Sequence, residues 1–508
     1  MRPLESLMAL ISAAAVAGCG TAAIDMAPAR PDQPWQPAIG ADGAIVFGKA
    51  QAASASSYVL PPNPVLDAAS SPPPSIDAEH AYTLAELVDI AQSSNPETRI
   101  AWDDARRAAL AEGIAQSNYL PHVTASVIGG QRSSHGNQSG GGTSIDGSTS
   151  SSGAISALAL EWLLFDFGER EALVEAAQQT SIASNIAFTA AHQRIIHEVC
   201  IAFYANDAAR ARVANTAQSL KNAEEIEAAA NDRYRHGVGT VIDVAQARQA
   251  TAQARLAHVQ AQGRAQDAML ALVTAMGVSP FTRFNVADVS GRTLSKASLQ
   301  PVERIVSDAI SRRPDVLGAY AAEKASEAVA RAADADFKPK VFMSATGSYA
   351  SGHLDATAVP PIGQQSGTFN LSGGHWGSTV LLGVTVPLYD AGLRKSTLGQ
   401  ARATADAATA LSERVRDEAV RQIVAAQNAL ETSLEANDAS EALEAAARTN
   451  FDAAFDAYRH GVGTMTAVML ASTQLLQAQD AKTEAHSGAL AAAATLAFAT
   501  GALGAAPT

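Results

Sequence analysis

A six-residue string occurs twice in this chain. Arg235-His236-Gly237-Val238-Gly239-Thr240 returns residue for residue from Arg459 to Thr464, an offset of 224. Phe165-Asp166-Phe167-Gly168 matches Tyr389-Asp390-Ala391-Gly392 at that same offset of 224. Upstream, Asn95-Pro96-Glu97 matches Arg313-Pro314-Asp315, and Tyr119-Leu120-Pro121 matches Phe337-Lys338-Pro339, both offset by 218. The six-residue difference therefore falls in one segment, between Pro121 and Phe165. Units of about 200 residues are far longer than solenoid repeats. The chain reads as a duplicated domain folded as one body, so whatever one half builds, the other builds again.

Each half predicts the same order of elements. Leu84, Leu87, Val88 and Ala91 have helical spacing, as do Val302, Ile305, Val306 and Ala309. Thr83 with Glu86 fits a capping box. Pro96 and Pro314 suit the first turn of a second helix, running to Pro121 or Pro339. Two strands follow in each half. In the first, Val123 to Ile128 and Ile155 to Leu164 flank a Ser/Gly-rich stretch, Ser133 to Gly153, that reads as a long exposed loop. In the second, Val341 to Tyr349 and Val380 to Leu388 flank a loop through Gly363, Gly367 and Gly373. Val380, Leu382, Val384, Val386 and Leu388 share one strand face.

Long helices complete each half. No proline or internal glycine interrupts Gly168 to Tyr234, and only Gly399 interrupts Leu393 to Tyr458. About 65 residues at 1.5 Å each make a rod of roughly 100 Å. Leu411, Val415, Ala419, Ile423, Ala426, Leu430 and Leu434 form one apolar stripe, looser than a heptad seam. Gly-Val-Gly-Thr turns each rod into a returning helix, from Val241 to Met276 or from Met465 onward.

Composition narrows the function. With 36 basic and 50 acidic residues, the net charge of −14 argues against nucleic acid as a partner. Two cysteines exclude a disulfide scaffold and a multi-cysteine zinc site. The segment from Ala489 to Ala506 is mostly Ala, Gly and Thr, and reads as a packed helix rather than a membrane span. No phosphate loop, nucleophile elbow or His-Glu-x-x-His helix occurs. The chain therefore reads as no enzyme and needs no cofactor or metal.

Residues 1–18 read as an export signal, with an apolar core from Leu7 to Ala17. Val16-Ala17-Gly18-Cys19 resembles the bacterial lipobox, in which the thiol is acylated and the chain is cut before it. Gly20, where an Asp would signal inner-membrane retention in such lipoproteins, is compatible with the outer membrane. Residues 19–80 read as lipid anchor and flexible Pro-rich tether, 81–290 as the first structural repeat and 291–505 as the second.

Four strands per chain cannot close on themselves. A membrane-spanning sheet must have no edges, and known barrels begin at about eight strands. If the strands span a bilayer, several copies must share one barrel, and three copies would enclose a lumen with about twelve strands. With this order of landmarks the chain resembles the TolC/OprM-type outer membrane factors, in their lipoprotein branch. The Arg-x-Gly-x-Gly turns, Arg312-Arg313-Pro314-Asp315, and the Phe-Asp-Phe-Gly and Tyr-Asp-Ala-Gly corners carry the resemblance. It implies a mainly α fold with membrane β: a homotrimer whose twelve-stranded β-barrel continues as a periplasmic α-helical barrel. It also implies a passive exit channel in the outer membrane of a Gram-negative bacterium, lipid-anchored, serving a tripartite efflux pump or type I secretion system. The implied partners are a periplasmic adaptor (membrane fusion protein) and an inner-membrane pump of RND or ABC type. The alternative is a structural coiled-coil lipoprotein or periplasmic adaptor with no pore.

Particular residues carry expectations. The turn glycines Gly237, Gly239, Gly461 and Gly463 permit left-handed backbone, and Thr240 and Thr464 can cap the returning helices. The resemblance places these tips, with Arg235 and Arg459, against the adaptor. Thr240 and Asp243 fit a capping box. The resemblance also puts Asp243 near a periplasmic aperture, although its counterpart in the second half is Ala467. His236 and His460 read as solvated turn residues, and Cys200 as a buried small side chain. Trp162, Tyr389, Phe165 and Phe167 fit either an interfacial aromatic girdle or packing at the strand–helix corner.

Overall fold

The computed structural model describes residues 76–140, 143–289, 301–357, 368–372 and 376–503, with fragments between 38 and 63. They divide into two compact units, residues 1–77 with 279–283, and residues 78–278 with 284–508. In the first unit, β1 (Ala38–Ile39) pairs antiparallel with β2 (Ile45–Val46), so the stretch expected to be a tether holds a small hairpin. The export signal and Cys19 lie outside the described residues.

The second unit holds both repeats. Their order is β3 (Ala81–Tyr82), α1 (Leu84–Ser94), α2 (Pro96–Ser117), β4 (His122–Gly140), β5 (Thr143–Phe165), α3 (Glu169–Arg235), α4 (Val241–Ala275), β6 (Asn285–Val286). Then follow α5 (Val302–Ala309), α6 (Pro314–Ala335), β7 (Lys340–Thr357), β8 (Thr368–Ser372), β9 (Trp376–Thr385), α7 (Leu393–Arg459) and α8 (Met465–Ala499). The two rods α3 and α7 each have 67 residues, and the returning helices α4 and α8 each have 35. β3 pairs in parallel with β6, tying the start of the first repeat to the connector between the halves.

Local chemistry sets the helix starts as the sequence predicts. The Thr83 amide and hydroxyl both donate to Glu86 Oε2 at 2.8 Å, and Glu86 N donates back to Thr83 Oγ1 at 3.4 Å. Pro96 and Pro314 occupy first turns. α2 and α6 end at Ser117 and Ala335, a turn before the expected prolines, because a residue before proline is pushed out of the helical region. α3 packs against α4 and α8, and against α2 and α6 of both repeats, and α7 packs against α8 and α6. The buried side chains of α3 include Ala172, Ala176, Ala191, Ala223 and Ala230. Such small residues bring helix axes to the near end of the usual 8–10 Å range, which is the physical use of the chain's abundant alanine. On α7 the predicted stripe is buried at Ala419, Ile423, Ala426 and Leu434, while Leu411 stays exposed.

The hairpin ends dock in equivalent places. Asn95 Nδ2 donates to the Ala275 carbonyl at 3.1 Å, and Arg313 Nη1 donates to the Ala499 carbonyl at 2.7 Å. These are the last carbonyls of α4 and α8, which have no helical partner of their own. Gly277 follows at φ 70 and Gly501 at φ 67. A Cβ on Gly277 would lie 2.7 Å from Asn95 Cα, so only glycine fits that docking. Arg313 is buried and also donates to Asp315 Oδ1 at 2.9 Å and Gln422 Oε1 at 2.8 Å.

The sheet order is β4-β5-β7, with β8 and β9 both pairing β7. All the pairings are antiparallel. β8 and β9 share one register along the same edge of β7, from Thr357↔Thr368 through Tyr349↔Trp376 to Lys340↔Thr385. They form the two parts of one fourth strand. The polar stretch Ser133 to Gly153 is not a loop. Its backbone pairs as far as Gly140↔Thr143. Ladder bonds need no apolar side chains, so serine and glycine extend a hairpin that already has its register. Likewise β7 runs to Thr357, and Gly363, Gly367 and Gly373 lie outside the described residues. β9 ends at Thr385, so Val386 and Leu388 fall beyond the ladder.

Burial disfavours the charged form of Asp315, but its hydrogen bonds from the Arg313 guanidinium outweigh that and hold its carboxyl below the ordinary value of 3.8. A depressed carboxyl stabilises above that ordinary value and loses the contribution as pH falls through the folded one. Amide exchange in residues 497–503, corrected for its intrinsic rate, therefore accelerates below about pH 4 in the native chain. The added acid sensitivity is absent in Asp315→Asn. Arg313→Ala should lower the opening free energy of the same amides by about 2–3 kcal/mol at neutral pH, the scale of lost hydrogen bonds to a charged group.

Candidate functional site: a two-faced sheet and two helical tips

The strand registers sort every sheet residue onto one of two faces, because neighbours along a strand point opposite ways and cross-strand partners point the same way. One face carries Val123, Ala125 and Val127 from β4, and Ser156, Leu158, Leu160 and Trp162 from β5. It continues with Val341, Met343, Ala345, Gly347 and Tyr349 from β7, and Trp376, Ser378, Val380, Leu382 and Val384 from β9. Within these rows no charged residue stands on it. The other face carries His122, Thr124 and Ser126, then Ala157, Ala159 and Glu161. It continues with Lys340, Ser344, Thr346 and Ser348, then Thr379 and Thr385, with Ile128, Ile155, Leu163, Phe342 and Leu381 among them. Hydroxyls and charges predominate there.

Among the described residues the apolar face finds no cover. Val127 is 76% exposed, Val380 71% and Leu382 72%, values that would be untenable for a sheet packed on a core. From Val341 to Tyr349 the apolar rows span eight steps, about 26 Å at roughly 3.3 Å each. At the roughly 35–45° tilt of barrel strands that length rises about 20 Å, the larger part of the ~25 Å apolar band of outer-membrane barrels. Aromatics mark both ends of the band. Tyr349 and Trp376 lie with ring centroids 5.4 Å apart at one end. At the other, Phe165 and Phe167 meet edge-on at 4.6 Å, and Trp162 Nε1 donates to the Tyr119 carbonyl at 2.9 Å. Trp162 thus serves both readings left open by its sequence: it stands on the apolar face and ties the sheet to the turn after α2. Tyr389 is 90% exposed.

Matched corners turn the sheet into the rods. Phe167 (φ 54) and Ala391 (φ 56) are left-handed non-glycines, followed by Gly168 (φ 94) and Gly392 (φ 88). An aspartate just before each turn holds an arginine just after it. Asp166 Oδ2 accepts from Arg170 N and Nε, both at 2.9 Å, and Asp390 Oδ2 accepts from Arg394 N at 3.2 Å and Nη1 at 2.9 Å. Arg170 is buried and donates onward to the carbonyls of Leu163 at 2.6 Å and Asn118 at 3.0 Å. Arg394 reaches Asp336 at 2.9 Å. The Asp-x-Gly string was legible in the sequence; the arginine four residues after each aspartate is the signal that it left unread.

At the far end, the two tips share one backbone. Gly237 (φ 77) and Gly461 (φ 84) are left-handed. A Cβ on Gly239 would lie 2.9 Å from Tyr234 N, and one on Gly463 2.9 Å from Tyr458 N, so both turns require glycine. Thr240 and Asp243 form the expected capping box, with Thr240 N donating to Asp243 Oδ2 at 3.0 Å and Asp243 N donating to Thr240 Oγ1 at 3.1 Å. Thr464 caps alone, accepting from Ala467 N at 3.3 Å. Arg235 is an exposed residue 3.7 Å from Asp232, and Arg459 lies over the Phe455 ring at 5.8 Å. Each turn histidine places Nδ1 2.8 Å from a carbonyl of its own helix, Asp232 for His236 and Asp456 for His460. Cys200 is buried, as read from the sequence.

One contact at the tips breaks the repeat. Arg233 Nη1 donates to the Tyr458 carbonyl at 2.8 Å, and its guanidinium lies over the Tyr458 ring at 4.8 Å. The counterpart of Arg233 is Ala457, and Tyr234, counterpart of Tyr458, is 51% exposed where Tyr458 is 2%. Burial pushes the Tyr458 hydroxyl up, and the charge of Asp243 adds to that. Around the contact one apolar cluster joins both hairpins, with Ile226, Val244, Phe451, Met465, Val468 and Leu475. The arginine–alanine mismatch between the repeats was the available signal for this cross-tie.

Among the described residues, no cluster of His, Cys, Asp and Glu could hold a metal ion, and no helix is long and apolar enough to cross a membrane.

The family model described as outer membrane efflux protein matches residues 87–278 and again 305–502. The outer membrane protein OprJ of Pseudomonas aeruginosa is 28% identical over 387 residues, 76% of each chain. The antibiotic efflux pump outer membrane protein ArpC of Pseudomonas putida is 26% identical over 409 residues, 79% of each. The solved structure of the outer membrane protein VceC from Vibrio cholerae superposes with a TM-score of 0.69. It is 20% identical, and the match covers 82% of this chain and 96% of that one.

Proposed function

The chain belongs to the outer membrane efflux protein family, and from that premise we propose that three copies build one passive exit duct through the outer membrane. The observation that carries this reading is the sheet: four strands, a band of uncharged rows on one face, a polar face behind it, and two unpaired edges. In a bilayer no water can satisfy those edges. They must pair with another copy, β9 of one chain against β4 of the next, which keeps the antiparallel alternation. Two copies would give eight strands, whose interior side chains fill. Three give twelve and leave a lumen lined by the polar face. The corners then carry the wall from sheet to rods, and the hairpins extend the duct as a helical tube.

Two tips per chain, alike in backbone, make six similar ends in the assembly. A periplasmic adaptor meets them at Arg235, Gly237, Gly239 and Thr240, and at Arg459, Gly461, Gly463 and Thr464, and an inner-membrane pump supplies the energy. Val238 and Val462, 66% and 84% exposed, offer this contact an apolar point on each tip. Asp243, at the same end, narrows the aperture as well as capping α4. Cys19 carries the lipid anchor. Nothing in the site performs chemistry on a cargo; the duct conducts.

The faces and the tips can be tested separately. Val380→Arg puts a charge in the middle of the apolar band and should cost about 2–4 kcal/mol of insertion free energy. It should abolish assembled protein in outer-membrane fractions. Thr379→Arg, one residue away on the polar face, should assemble normally and lower single-channel conductance in planar bilayers. Cys19→Ala should leave that conductance unchanged. Equal tolerance of the two arginines would refute the assignment of faces. Val462→Asp should keep full conductance yet abolish pump-dependent efflux from cells; efflux at the native rate would remove the tips from the adaptor contact.

A further inference from the structure

A ring built from a duplicated chain has two kinds of seam, one between the repeats of a chain and one between copies. The inner seam is formed by α6 and α8 of the second repeat, which pack on α3, the rod of the first. The repeat makes α2 and α4 the counterparts of α6 and α8, and α7 the counterpart of α3. Among the described residues, however, α2 and α4 pack along their own rod α3, and neither lies along α7. The faces they leave free are apolar. Leu110 and Ile114 on α2 are exposed, whereas their counterparts on α6, Ala328 and Ala332, are buried. Leu256 and Val259 on α4 are exposed as well.

Residue by residue, the two seams differ in chemistry. Arg331 on α6 lies 2.5 Å from Glu175 on α3, and the repeat offsets of 218 and 224 carry that pair to Gly113 and Gly399. Lys340, 2.6 Å from Glu169, becomes His122 with Leu393. Arg212 on α3 lies 3.0 Å from Asp480 on α8, and Asn215 Nδ2 donates to Thr483 Oγ1 at 3.1 Å. Their counterparts are Ala436 with Leu256, and Ala439 with Val259. Sizes are exchanged too. A Cβ on Gly318 would lie 3.8 Å from Ile186 Cγ2, and the counterpart pair is Ile100 with Ala410. Each of these counterpart residues is exposed in the single chain. Charge persists further up, where Gln193 and His197 of the inner seam correspond to Asp417 and Arg421.

We propose that the copies meet along a recoded version of the inner seam. In it α2 and α4 of one chain lie along α7 of the next, in the register that α6 and α8 hold on α3. Gly113 then stands opposite Gly399, Ile100 opposite Ala410, and Leu256 and Val259 opposite Ala436 and Ala439. The inference rests on the three-copy duct proposed above and adds where its helices touch. Glycine inside a helix weakens it, and nothing in its own chain requires either one: a Cβ on Gly113 or on Gly399 would meet nothing within 4 Å. Opposite one another they let two backbones approach. Large side chains against alanine bury apolar surface without stripping any charge of water. The recoding also keeps the seams apart. If α6 docked on α7, Arg331 would face Gly399 in place of Glu175 and lose its partner, so each rod selects its own helices. The contact is head-to-tail and closes as a ring.

The test is cross-linking of assembled channels, with Cys200 replaced by alanine, by a short bismaleimide. Leu256→Cys with Ala436→Cys in one chain should give a covalent ladder that ends at three chains. Leu256→Cys with Ala425→Cys, about 16 Å away on the same face of α7, should give none. Gly113→Arg and Gly399→Glu should each lower the temperature at which the trimer dissociates in detergent. The double variant should recover part of that loss by rebuilding the Arg331–Glu175 pair across copies. Cysteines on the free edges of β4 and β9 separate the two levels. If they link three chains while Leu256 and Ala436 do not, or if Ala425 links as readily as Ala436, the seam is overturned and the duct stands. Single glycine variants as stable as the native trimer, or a double variant no better than the weaker single, also overturn it. If neither strand edges nor helices link, the duct falls and the seam with it.

Discussion

The structure depends on backbone hydrogen bonds that one chain cannot make. β4 and β9 each offer the bilayer an unpaired row of N–H and C=O groups along an otherwise uncharged surface. In water an open edge is a hazard of aggregation; in hydrocarbon each unmet group costs several kcal/mol. Closure is therefore part of the fold. The exposed valines and leucines follow from the same constraint: they lack cover within the chain because lipid covers them.

Duplication makes the closure geometrically simple. Each repeat supplies two strands, one rod and one returning helix, joined by a left-handed corner with its Asp–Arg clamp. The clamp fixes the angle at which a strand feeds a helix, so the wall passes from sheet to tube in the same way at every corner. Alanine then lets long helices lie close enough for a tube wall, and the docking of α4 and α8 ends onto Asn95 and Arg313 anchors each returning helix. Where the repeats differ, at Arg233 against Ala457, the two hairpins are tied to one another rather than merely copied.

Much of this was legible in the sequence because it is local. Helix starts follow from Thr83, Pro96 and Thr240, the tips from paired glycines, and the rods from the absence of breakers. The strand faces were half legible: the alternation of Val380, Leu382 and Val384 showed, but which residues of β5 and β7 join them is a matter of register, which periodicity in one strand cannot fix. Ser133 to Gly153 was misread as a loop because composition reports side chains, whereas pairing there is carried by backbone. The contacts of Arg170, Arg233 and Arg313 were invisible for a different reason. Each arginine reaches a carbonyl far away in sequence, and nothing local announces a distant acceptor.

Cross-linking of the free edges tests the central claim most directly. Single cysteines would be placed on β4, at Val123, Ala125 or Val127, and on β9, at Val380, Leu382 or Val384, with Cys200 replaced by alanine. On oxidation in outer membranes, the edge-to-edge account predicts a denaturing gel whose covalent ladder stops at three chains. Chains that remain single for every pair, or a ladder that runs past three, would contradict it.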